Sequence, residues 1–283
     1  NTFISSSVSE GQSVEEIRSA APYVAQSRGR LVTKTDYDSF IRTNYRNVIL
    51  DVAILSNNDY INSYIKYFYD SGIKAFNTES RQLLSQLKFS TSCNFNNVYA
   101  VVVPRNYVNT TTQYINFLSQ SQKNLIKSGC ERQKIEGVEI IPIDPIYISF
   151  SFGTIDDTIT LDQYVSDNTT IEIVRQEGTK FSDDYLKETF ANKLLEYFNP
   201  VTLKLGDTID FNSINTTLNG ITGLSKFYTV NSTSRYLGLS FVMWNDVYQK
   251  SFEIVNKNKT LESFQFAYLD LNKQEIISKI TVV

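Results

Sequence analysis

The 283-residue sequence contains no histidine. That removes the commonest general base, the commonest neutral metal ligand and the proton-accepting member of the usual serine and cysteine triads. Cysteine is almost as scarce. Cys93 and Cys130 are far apart and have no second pair, so they build neither a disulfide scaffold nor a tetrahedral zinc site. Two ordinary reduced thiols, in a protein made in a cytoplasm, are expected. Met243 is the sole methionine and the chain opens on Asn1, as expected of a piece of a longer protein.

Long apolar runs are missing too. No stretch approaches the roughly 20 residues that span a bilayer, and NTFISSSVSE lacks the basic and apolar regions of a signal peptide, so no membrane partner is expected. Nor is there an excess of positive charge: 27 Lys and Arg stand against 30 Asp and Glu, which argues against nucleic acid as a general partner. The 11 glycines form no GxxxxGK[ST] and no GxGxxG loop, so the backbone device that cradles a nucleotide is absent.

Carboxylates are the remaining route to chemistry. Asp156, Asp157 and Asp162 form one cluster, Asp183 and Asp184 another, and neither has EF-hand spacing. Asp183 and Asp184 follow Ser182, where negative charge favours a helix amino terminus. No catalytic residue, metal ligand or cofactor is therefore expected, and the chain reads as a non-enzyme. Arg28, Arg30 and Lys34 lie at a helix start and either meet an anionic partner or form a solvated surface turn whose arginines pair locally with Asp36 or Asp38. Five sequons, at Asn109, Asn168, Asn215, Asn231 and Asn258, follow from the abundance of Asn and Thr rather than from glycosylation.

What the chain does have is 41% hydrophobic and 13% aromatic residues, enough for packed cores. The patterning predicts a multi-domain α+β protein. A mixed α/β unit over 1–144 begins with a short helix capped by Ser13 and Glu16 and a second helix capped by Thr33. Strands follow at 47–55 and at SYIKYFYD, an Asn-rich loop covers 56–62, a helix 79–88 and a strand 98–103. A helix over 111–127 carries the stripe Tyr114, Phe117, Leu118, Leu125 and Ile126, with Gly129 as its left-handed stop.

Pro142 and Pro145 bracket a boundary. Beyond it, a β-rich unit with two helices is expected over 145–224, starting with a strand at 146–152 that buries one face. Its first helix, capped by Ser182, carries Leu186, Phe190, Leu194 and Phe198; its second carries Phe211, Ile214, Leu218 and Ile221. From 225 to 283 the helical period disappears and an all-β unit is expected, its last strand at IISKITVV. Phe241, Trp244 and Tyr248 in this region are candidate interface residues, with an ordinary sandwich core as the competing explanation.

Two blocks of motifs carry a family resemblance. The first holds Ala21, Pro22, Arg30, Val32, Thr33, Asp36 and Tyr37; the second holds Phe198, Pro200, Leu205, Gly206, Ile214, Ile221, Gly223 and Leu224. In order and spacing they resemble the baseplate J-like proteins of contractile tails, over roughly residues 14 to 224. The Asn- and Tyr-rich texture and the extra β region look nearest to wedge proteins of T-even phages. The chain departs from simpler J-like proteins in the middle and at the end, which leaves the role of the closing region open. The resemblance implies a noncatalytic virion subunit, assembled in the host cytoplasm. Such a subunit binds itself and other wedge proteins in a ring around the hub, and rearranges when the sheath contracts. A carbohydrate-binding or envelope-degrading tail protein is the alternative, and an exported surface adhesin a third reading.

Overall fold

The computed structural model describes residues 29–68, 96–107, 116–153, 169–232, 234–245 and 252–283. It is an α+β chain whose contacts divide it into two units, Asn1–Pro145 and Ile146–Val283. No described helix is long and apolar enough to cross a membrane.

The first unit is built on a three-stranded sheet in the order β1-β2-β3: β1 (Ile49–Ser56) antiparallel to β2 (Asn97–Pro104), and β2 parallel to β3 (Glu139–Ile143). Two helices, α1 (Lys34–Tyr45) and α4 (Gln120–Glu131), cover one face. Tyr37 and Ile41 from α1, and Ile126 and Cys130 from α4, meet Val52, Ala100, Val102 and Ile140 in its core. Thr33 caps α1 as expected: its side chain accepts from the Asp36 N–H, and Asp36 reaches back to the Thr33 N–H at 2.8 Å.

Three expectations for this unit need correction. Of the segment taken for a loop and a strand, 57–68 is helical throughout: α2 (Asn57–Asp59), a π-helix (Tyr60–Ile65) and α3 (Lys66–Phe68). A Ser56–Asp59 capping box starts it, a local signal that outweighs the aromatic texture favouring a strand. Tyr60 then stacks on Tyr99 of β2, ring centroids 3.7 Å apart. Second, α4 starts at Ser119, which forms a capping box with Gln122, and not at 111. Of the expected stripe, Leu118 and Ile126 are buried and Phe117 and Leu125 exposed, while Cys130, outside the stripe, faces inward with Ile126. Third, Gly129 is not a helix stop but lies within α4. A Cβ there would sit 1.8 Å from the Tyr45 hydroxyl, which donates to the Leu125 carbonyl at 3.0 Å. The expected helices near 13–22 and 79–88 lie outside the described residues.

Gly129 supports a prediction opposite in sign to helix propensity. Alanine in a helix interior normally gains about 1 kcal/mol over glycine. Here Gly129→Ala displaces Tyr45 and breaks its hydrogen bond, so urea denaturation should show a net loss of about 1 kcal/mol. In a Tyr45→Phe background, where that bond is already gone, the loss should shrink.

In the second unit, one four-stranded sheet has the order β10-β9-β4-β12 and another β13-β5-β7-β8. The first joins β4 (Ile146–Phe152), β9 (Phe241–Asn245), β10 (Phe252–Val255) and β12 (Gln265–Leu269). The second joins β5 (Thr170–Arg175), β7 (Leu224–Val230), β8 (Arg235–Leu237) and β13 (Ile280–Val282). A two-stranded ladder pairs β6 (Thr208–Ile209) with β11 (Lys259–Thr260). The helices are α5 (Asp183–Tyr197), α6 (Phe211–Asn219) and α7 (Lys273–Ser278); α5 packs on α6, α7 and β13.

The division expected at residue 225 differs from these sheets. Strands from beyond it pair with β4 and β5 from before it: β9 and β12 flank β4, and β7 and β13 flank β5. No short-range pattern announces such long-range pairing, and contacts group 146–283 together. β4 also differs from the expected strand with one buried face: Tyr147 and Ser149 are buried as well as Ile146, Ile148 and Phe150, so both its faces are covered. The last expected strand, 276–283, is divided: 276–278 end α7, which an Asn272–Glu275 capping box opens, and only β13 is strand.

Candidate functional site

Of the three residues singled out as interface candidates, Phe241 is fully buried. Its ring lies 5.9 Å from Phe150, 5.8 Å from Phe152, 5.6 Å from Phe198 and 5.7 Å from Phe211, at the hub of the second unit's core. Its apolar area is used inside its own chain, as the sandwich-core explanation required. Trp244 lies on β9, with its backbone opposite Ser149 and Phe252. Its side chain and all of Tyr248 lie outside the described residues.

The structure instead brings forward a surface that the sequence pattern missed. On the second sheet, Ile171, Ile173, Phe227 and Thr229 point inward and are buried. The alternate positions Glu172, Val174, Lys226, Tyr228 and Val230 form the opposite face, continued by Arg235 and Leu237 of β8. The Arg235 guanidinium sits 3.8 Å from the centre of the Tyr228 ring and pairs with Glu172. Leu237 beside them is 62% exposed. Tyrosine and arginine are enriched at the energetic centres of interfaces, and a cation resting on a ring keeps both side chains in fixed positions before any partner arrives. Sequence alternation alone could have separated the two faces, but not told which one the helices cover.

The first unit has a cleft of about 280 Å³ at the end of its sheet, lined by Val32, Lys34, Tyr37, Leu55, Asn96 and Val138 among others. Lys34, assigned to the basic cluster, pairs with Asp59. Asp38 pairs with Arg42, while Asp36 is occupied by backbone N–H groups. Arg30 is exposed, and Arg28 lies outside the described residues.

Burial tends to raise the Asp36 and Asp59 carboxyls, but other contacts outweigh it and hold both below their ordinary value of 3.8. For Asp36 these are hydrogen bonds from Thr33 and Val32, and for Asp59 hydrogen bonds from Lys34 and Ser56 and the nearby Lys34 charge. Groups lowered in the folded state add stability above their unfolded value and lose it as pH falls through the folded one. Urea midpoints should therefore fall as pH drops below about 4, and an Asp36→Ala, Asp59→Ala chain should show a flatter slope there.

Of the acidic clusters, Asp183 pairs with Arg175 at the start of α5, and Asp156, Asp157 and Asp162 lie outside the described residues. Among the described residues no three His, Cys, Asp or Glu side chains are grouped to hold a metal. Cys130 is buried with its thiol pushed up to about 12, and burial likewise pushes the Tyr37 hydroxyl up to about 12, so neither is an activated nucleophile at neutral pH. Two sequon asparagines have structural roles: Asn215 accepts from the Leu239 N–H at 2.9 Å, and Asn231 from the Ser234 N–H at 2.6 Å.

No family model and no curated protein matches the sequence. Among solved structures, a chain from the cryo-EM structure of the anti-feeding prophage baseplate, 6-fold symmetrised, aligns with 90% of this chain at 12% identity and a TM-score of 0.47. The aligned part makes up 40% of that chain.

Proposed function

We propose that this chain is a noncatalytic structural component of a contractile-tail baseplate, a wedge subunit that associates with itself and with other wedge proteins around the hub. In this reading it resides in the virion tail, is assembled in the host cytoplasm and follows the rearrangement that accompanies sheath contraction. The observation that carries the reading is the ordered motif set of the J-like resemblance, whose described members occupy positions with a definite backbone task. Thr33 and Asp36 form the capping box of α1. Phe198 closes α5, and Gly206 turns the chain with φ 76° so closely against Ser263 that a Cβ would lie 3.0 Å from its Cα. Gly223 has φ 93°, and a Cβ there would come 2.5 Å from the Phe181 ring. Residues other than glycine rarely adopt such angles, so these motif positions mark where the fold cannot vary.

The face carrying Tyr228, Arg235 and Leu237 supplies the kind of surface that assembly requires. A stable contact buries about 800 Å² per partner around a few aromatic or arginine anchors. Size-exclusion chromatography with light scattering on the chain should give a dimer or higher species at high concentration, and co-purification should recover other wedge proteins. A strict monomer that also retains no wedge protein would overturn the reading.

A further inference from the structure

The peptide bond between Asp144 and Pro145 lies immediately before the boundary between the two units. Every described strand pairing falls on one side of it or the other. Cutting there would leave each described sheet whole. Three features of the first unit converge on this bond. The Lys123 ammonium holds Oδ2 of Asp144 at 2.6 Å, while the other carboxylate oxygen, Oδ1, is buried and accepts no hydrogen bond. The Tyr64 hydroxyl donates to the Asp144 main-chain carbonyl oxygen at 3.0 Å. Pro145 makes the bond a tertiary amide, which has no N–H and so cannot close to a succinimide.

We propose that Asp144–Pro145 is a self-cleavage site. Oδ1 of Asp144 attacks the carbonyl carbon of the same residue and closes a five-membered ring. The negative charge that develops on the carbonyl oxygen falls on the atom that already receives the Tyr64 hydroxyl. The C–N bond then breaks, and the Pro145 nitrogen leaves as a secondary amine carrying a proton from solvent. Water opens the cyclic anhydride, restoring the Asp144 side-chain carboxylate and leaving a new main-chain carboxylate. No oxidant, reductant or cofactor is consumed. Lys123 is a positioning residue and Tyr64 a catalytic one. Lys123 fixes the carboxylate's rotation and leaves Oδ1 without a competing donor, and Tyr64 polarises the bond under attack.

The π-helix gives Tyr64 its place. Its neighbour Tyr60 is clamped on Tyr99, and the Tyr64 ring stacks on Tyr60 at 5.3 Å, so the hydroxyl is delivered to Asp144 by a supported side chain. Insertions of this kind into helices recur at functional sites because they redirect side chains that a regular helix would not align.

The test uses the full chain in mildly acidic buffer in which circular dichroism shows it folded. Intact mass and amino-terminal sequencing should find two fragments, the second beginning at Pro145. Cleavage should be at least about tenfold faster in the folded chain than in the same chain unfolded in urea at the same pH. Tyr64→Phe should remove about tenfold or more of the folded rate, since one oxyanion donor contributes about 10² to 10³ in enzymes. Asp144→Asn should stop the reaction, and Lys123→Gln should slow it. A folded chain that is cut no faster than the unfolded one overturns the proposal, as does a folded Tyr64→Phe chain cut at the original rate. The folded-to-unfolded comparison uses the unaltered chain and stands whatever the variants do.

Discussion

Replacing Phe241 by alanine is expected to lower the unfolding free energy of the second unit by about 3 to 5 kcal/mol, the range for deleting a buried phenylalanine. The size follows from position. Phe241 is fully buried and touches four other phenylalanine rings contributed by β4, the end of α5 and the start of α6. Collapse around the void would have to move a sheet and two helices together, so little of the loss can be recovered. Urea denaturation followed by fluorescence reads this directly, because the chain's one tryptophan, Trp244, lies on the same strand. Leu237→Ala, at an exposed position on β8, should change the same midpoint by no more than about 0.5 kcal/mol. If Phe241→Ala behaves like Leu237→Ala, the ring cluster does not organise this unit.

The second large effect is expected at Arg42. Its guanidinium pairs with Asp38 at 2.9 Å, with the buried Asp51, and with the carbonyl of Val52. Asp51 lies on β1, where the register with β2 shifts, and its side chain is 3% exposed. Arg42→Met keeps the apolar stem but takes the guanidinium away from that carboxylate. Breaking a buried pair on one side costs about 3 to 5 kcal/mol, and the partial exposure of Arg42 reduces this to about 2 to 4. Arg42→Met with Asp51→Asn should regain much of the loss, giving a coupling of at least about 1 kcal/mol in a double-mutant cycle. Additive losses would mean that the arginine acts by packing alone.

The parts of the fold legible from sequence were those governed by neighbours a few residues apart. Thr33 with Asp36, and Ser182 before Asp183, locate helix starts because a cap is a local hydrogen bond. Leu186, Phe190 and Leu194 recur at helical spacing and are all buried on α5. Errors came where two local signals competed. At 56–68 aromatic texture suggested strand while Ser56 and Asp59 were a capping box, and at 272–278 branched residues hid another. Gly129 has the residue type of a helix stop, but its reason is the Tyr45 hydroxyl, which lies far away in sequence.

For the candidate sites, long-range pairing made the difference. The aromatic character of Phe241 was visible, but only its place between β4, α5 and α6 shows that it faces its own core. The Tyr228, Arg235 and Glu172 group joins three strands, and the Tyr64 and Asp144 contact spans 80 residues.

The sequence by itself determined the absence of histidine chemistry, the near balance of charge, the α+β class, the capped helices and the J-like motif order, because composition and short spacings are complete in the chain. Only the tertiary structure decided that strands from beyond 225 share sheets with those before it, which aromatic residues are core and which are surface, and that Tyr64 and Lys123 meet at the Asp144–Pro145 bond. Those outcomes depend on which distant segments pair, and that is settled by the burial of whole faces at once.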